Sequence, residues 1–127
     1  MDRKLTFIII GVVFWATAAA LMHVIVPYVF ETSLSHIAFW IANFFFPVIA
    51  LPLIAKMTGR TKHQMLAPTV LIAIPALTLD GLSITLDSMG MTHIYANTPT
   101  LAGLTGGFLL FAFASFFFWA IIWHKDA

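Results

Sequence analysis

The chain has 127 residues, of which 61% are hydrophobic and only 9% charged. Soluble domains carry about 25% charged residues, so six Lys and Arg with five Asp and Glu cannot solvate a globule of this size. That excludes a soluble monomer, a disordered segment and a nucleic-acid binder of the basic-patch kind. The absence of cysteine excludes disulfides, thiolate metal sites and cysteine nucleophiles.

The apolar residues fall into four blocks, at about 5–29, 35–55, 66–86 and 100–123. Each is close to the roughly 20 residues that cross a hydrocarbon core of about 30 Å. Backbone amides in lipid must be paired within the segment, so each block is expected to be a helix. The expected fold is all-α: an integral membrane four-helix bundle forming a single membrane domain over residues 1–127. The start, with Asp2-Arg3-Lys4 before an apolar run and Ala16-Thr17-Ala18-Ala19-Ala20, has features of a cleaved secretory signal. Hydrophobicity nevertheless continues through Leu21, Val24, Ile25 and Val26, long enough to span, so the block is expected to be retained as a helix.

Between the blocks, the charges separate by sign. Arg3, Lys4, Lys56, Arg60, Lys62 and Lys125 all fall on one side of a four-crossing arrangement. The other side carries Glu31, Asp87 and His93 without a Lys or Arg. The positive-inside rule then predicts cytoplasmic N- and C-termini, in a plasma membrane or bacterial inner membrane. Within the helices, Pro47, Pro52 and Pro75 should each bend the chain or free a carbonyl. Gly103 and Gly107 form a GxxxG, and Ala16 and Ala20 a small-xxx-small pair, spacings that let helices approach closely. Trp15, Trp40, Trp119 and Trp123 read as interfacial anchors.

Polar residues inside the blocks point to function. Asp80 lies about 10 Å below the non-basic end of the third block, and an aspartate at mid-helix costs about 2.5–3.5 kcal/mol on insertion scales. It therefore needs a partner or water. His23 and Asn43 are expected at matching depth on the first and second helices. Ser83 lies one turn from Asp80, and Asp87, seven residues on, shares its face. The layer is either interhelical glue or a proton-titrating or ligand-binding site. A rim cluster of Glu31, His36, Asp87 and His93, with Met89 and Met91, offers oxygen, imidazole and thioether ligands, though without tight metal spacing. No G-x-S-x-G elbow or Gly-rich phosphate loop is present. A bis-histidine haem would need a second imidazole opposite His23, so no cofactor is expected.

The segment Ile74-Pro75-Ala76-Leu77-Thr78-Leu79-Asp80-Gly81-Leu82-Ser83 resembles the third helix of a family of small four-helix integral membrane proteins classed as a domain of unknown function. There a proline, a short apolar step, Leu-Asp and a nearby serine recur. Phe14-Trp15-Ala16-Thr17-Ala18 is similar to the family's first helix, where a tryptophan precedes small residues. The resemblance extends over nearly the whole chain in length and helix order. Ala76-Leu77 stands in place of Gly-Met, and Thr92-His93-Ile94-Tyr95-Ala96-Asn97 departs from a Phe-Pro-Asn-like segment. The resemblance implies a four-helix membrane fold with emphasis on Pro75 and Asp80, and brings no activity, substrate or cofactor.

The expected function is binding or permeation of a small solute or ion at an outward-facing site formed by Asp80, His23, Asn43, Ser83 and Asp87. Permeation would call for a homo-oligomer, since one such bundle has little interior volume. The alternative is a structural or regulatory membrane subunit in which Asp80 is interhelical glue. A metal-binding protein or membrane enzyme is the third reading. The expected partners are the lipid bilayer and a second copy or larger membrane complex, with no nucleic acid.

Overall fold

A computed structural model describes residues 3–125. Four helices carry the fold: α1 (Arg3–Val29), α2 (Ser33–Met57), α3 (Leu66–Ser88) and α4 (Pro99–Trp123), with one 3-10 turn at Lys62–Gln64. Each is long and apolar enough to cross a membrane. Alternating directions place the start of α1, the end of α2, the start of α3 and the end of α4 at one, basic, end. Glu31 and the loop from Met89 to Thr98 lie at the other, acidic, end.

Local chemistry sets the helix limits. Thr32 caps α2 by accepting the Ser35 amide at 3.1 Å, while the Ser35 hydroxyl donates to the Val29 carbonyl at 2.6 Å. This ties the α1–α2 turn and starts α2 at Ser33, two residues before the apolar block. Thr98 caps α4, whose first residue, Pro99, has no amide to satisfy. α2 and α3 end alike. Gly59 (φ 73°) and Gly90 (φ 75°) take the left-handed conformation. The next amides turn back, Arg60 to the Ala55 carbonyl at 2.7 Å and Met91 to the Leu86 carbonyl at 3.0 Å. Both are Schellman endings, which favour glycine at that position. Neither Pro47 and Pro52 in α2 nor Pro75 in α3 interrupts its helix.

α1 packs mainly on α3, α3 on α4 and α4 on α2, while α1 and α2 touch only lightly. The tightest approach is at Gly11. A Cβ there would collide with the Ile72 carbonyl oxygen and sit 2.6 Å from the Pro75 ring, so only glycine lets α1 lie on α3 at this point. The GxxxG does not serve the bundle: a Cβ at Gly103 or Gly107 would meet nothing within 4 Å. α2 and α4 are joined by rings, with Phe39 stacked on Phe108 at 4.5 Å and Trp40 on Phe111 at 4.4 Å. Trp119 donates its indole N–H to the Phe44 carbonyl at 2.8 Å. Trp15, expected as an anchor, lies midway along α1 and packs against the core.

At the basic end Lys62 lies over the Trp123 ring at 4.6 Å and Arg60 over Phe7 at 5.3 Å. His63 Nδ1 pairs with the Trp123 carbonyl at 2.8 Å. The Lys62 and His63 contacts hold the end of α4 against the turn before α3, and the Arg60 contact holds the start of α1 there.

Gly11→Ala should lower the thermal midpoint in detergent by the equivalent of about 2 kcal/mol, the usual scale of overpacking. Gly107→Ala, with open space, should hold or raise the midpoint through helix propensity. Equal midpoints for the two variants would contradict the close α1–α3 approach.

Candidate functional site

Asp80, Ser83 and Asp87 are buried along one stripe of α3. Seven residues separate the two aspartates, about 10 Å of rise. One residue bridges that interval. Tyr95, from the loop after α3, is completely buried. Its backbone amide donates to Asp87 Oδ2 at 2.7 Å, and its hydroxyl donates to Asp80 Oδ1. The ring therefore runs along α3 from one carboxyl group to the other.

Asp87 fixes the loop that supplies this ring. Besides Tyr95, it accepts the Thr92 hydroxyl at 2.5 Å and the Ile94 amide at 2.9 Å on Oδ1, and the Ala96 amide at 3.2 Å on Oδ2. Four donors on one carboxyl group are charge-assisted bonds, individually stronger than neutral ones. The loop thus closes over the acidic end of the α3 stripe. Burial, the hydrogen bond to Asp80 and the charges of Asp80 and Asp87 push the Tyr95 phenol far above the ordinary tyrosine range. Tyr95 remains a neutral donor.

Asp80 is 6% exposed. Its Oδ2 takes no hydrogen bond from the described residues. The residue lines a groove of about 250 Å³ between α3 and α4, with Leu77, Gly81, Ile84, Thr85, Gly106 and Leu110 among its walls. Gly81 leaves this side open, since a Cβ there would meet nothing within 4 Å. Tyr95, held at the acidic end by Asp87, lies between that end and Asp80.

None of the other expected members of the layer is hydrogen-bonded to Asp80 among the described residues. The Asn43 Nδ2 donates to the Phe39 carbonyl at 2.9 Å, and Asn43 lines a crevice among α1, α2 and α4. It sits ten residues from the start of α2, about 15 Å, against eight residues and about 12 Å for Asp80 in α3. His23 is half-buried on α1, and among the described residues no hydrogen bond or ion pair joins it to Asp80. Ser83 shares the buried stripe, without a hydrogen bond to Asp80 among those residues. Glu31, His93, Met89 and Met91 are exposed, and His36 packs at a tilt against Phe30 and edge-on to Trp40. No group of three or more His, Asp or Glu among the described residues could hold a metal ion. Both oxygens of Asp87 are already engaged by the loop.

Tyr95 is the partner of Asp80 that sequence reasoning missed. Its signal was indirect: two aspartates on one stripe, with no Lys or Arg on that side, require neutral donors, and the adjoining loop carries a tyrosine among apolar residues. Comparison of the chain with protein-family models, curated proteins and solved structures gives no match.

Because its folded-state value is raised, the Tyr95 phenol contributes stability that is complete below about pH 10 and is lost as the pH climbs through the folded-state value. A Tyr28→Phe protein, with Tyr95 its sole tyrosine, should show no phenolate absorbance near 295 nm up to about pH 11.5 while helical. Reversible ionisation near pH 10 in the folded protein would show that Tyr95 is not held by the two aspartates.

Proposed function

We propose that this integral membrane protein binds a small cation or hydrogen-bond-donating solute at the Asp80 carboxyl group, which the solute reaches from the groove between α3 and α4. One observation carries the proposal: Asp80, which lines a groove, accepts the Tyr95 hydroxyl on Oδ1, and its second oxygen is unmatched among the described residues. A carboxyl group at this depth normally has a partner or faces a pathway. A small ammonium group would supply the missing donor and a countercharge, with its apolar part against Leu77, Ile84 and Leu110.

Binding has more support than permeation. Toward the basic end the buried stripe of α3 continues with Ala76, Ala73 and Ile72, and reaches a polar side chain only at Thr69. Passage through the membrane would require a second copy, and the open faces of Gly103 and Gly107 are where one would pack. The basic residues at one end favour cytoplasmic termini in a plasma or bacterial inner membrane. Membership of the small four-helix family suggested by the Pro75–Ser83 segment belongs to the same proposal.

A structural subunit is the second reading, favoured by the four bonds that fasten the loop to Asp87. The readings separate on Asp80→Asn, which keeps an acceptor for Tyr95 and removes the charge. With n-butylammonium as probe and the full chain in lipid nanodiscs, wild type should bind saturably. Asp80→Asn should bind at least tenfold more weakly, a change of about 1.4 kcal/mol, with unchanged helicity. Equal binding by the variant, or no saturable binding by wild type, would defeat the solute reading; loss of folding would favour the structural one.

A further inference from the structure

A second opening lies on a neighbouring face of α4. Because α1 packs on α3 and barely touches α2, the seam between α1 and α2 stays open and leaves a crevice of about 330 Å³ floored by α4. That is the size of a small-molecule site, and sites between the helices of bundles are of this kind: mostly apolar, with few polar groups. Six phenylalanines, Phe14, Phe39, Phe46, Phe108, Phe113 and Phe116, contribute to the lining. Leu109 lines both this crevice and the Asp80 groove, and so stands between them.

Asn43 is out of keeping with such a lining. Its Nδ2 gives one hydrogen to the Phe39 carbonyl. Its Oδ1 and the second Nδ2 hydrogen find no partner among the described residues. The amide lies about 15 Å along a 25-residue helix, near mid-membrane, where water is not at hand to complete it. An amide oxygen left unpaired in hydrocarbon is costly, and an acyl chain has no donor to offer it. Aromatic walls, by contrast, favour a ring, in edge-to-face or offset contact.

We infer that the crevice is a binding site for a neutral, membrane-dissolved ring molecule bearing a hydroxyl, of the phenol or quinol class. The ring packs among the phenylalanines and its hydroxyl donates to Asn43 Oδ1. Entry is lateral, from the bilayer through the α1–α2 seam. This site is independent of Asp80, so Asp80→Asn leaves it intact.

The test uses the full chain in nanodiscs and two photoreactive diazirine probes of equal length, an alkylphenol and a fatty acid, with labelled residues mapped by mass spectrometry. The alkylphenol should label the crevice saturably and resist competition by the fatty acid. Asn43→Leu should reduce that labelling at least tenfold. Ala18→Phe, which puts a bulky ring in place of a small apolar lining residue, should abolish it, and decides the matter should Asn43→Leu fail to fold. Equal labelling by the fatty acid would mean that the crevice holds an ordinary lipid chain. That outcome overturns the proposal, as would unchanged labelling in Asn43→Leu, persistence in Ala18→Phe, or no saturable labelling of wild type.

Discussion

Two carboxyl groups on one stripe of an apolar helix require donors that lipid cannot give and that the helix's own amides have already spent. In this protein the loop following the helix meets that requirement. Asp87 collects a hydroxyl and three amides from residues 92–96 and so shapes the loop. The shaped loop directs the Tyr95 ring down the stripe to Asp80. Helix periodicity makes this possible, since residues seven apart share a face and one tyrosine can span the interval. The buried cluster of Met22, Val26, Ala96, Ala102 and Phe108 around that ring then closes the acidic end.

The four helices were legible because an apolar run of about twenty residues is a strong, local signal, and the ends carry recognisable chemistry in Thr32, Gly59, Gly90 and Thr98-Pro99. Asp80 was legible for the same reason: a charge within an apolar run has few explanations. Its partner was not. His23 and Asn43 were expected beside it from depth alone, but depth leaves the rotation of each helix undetermined, and the early start of α2 sets Asn43 about two residues deeper. Tyr95 reaches Asp80 through the fold of a loop, which hydropathy does not describe. Likewise the close α1–α3 crossing falls on the single Gly11, while the more conspicuous Gly103-x-x-x-Gly107 faces away from the bundle.

The helix arrangement also gives the bundle two unlike sides. Between α3 and α4, Asp80 lines a groove beside Gly81 and Gly106; between α1 and α2, Asn43 shares a crevice with phenylalanines. Both polar groups retain hydrogen-bonding capacity that the described residues leave unmet, and both line openings between helices. Large aliphatic side chains such as Ile37, Ile41, Ile49 and Leu53 occupy the remaining exposed face of α2, as a lipid-facing surface requires. The two proposed binding sites lie where the apolar covering is interrupted, at Asp80 and at Asn43, with Leu109 lining both openings.

A double-mutant cycle on reversible unfolding in mixed micelles, with Asp80→Ala, Tyr95→Phe and the two combined, measures the central contact directly. A buried hydroxyl donating to a carboxyl group should give a coupling energy of about 1.5–3 kcal/mol. Additive single effects, with coupling near zero, would mean that Tyr95 does not hold Asp80 and that the loop closes the acidic end by apolar packing alone.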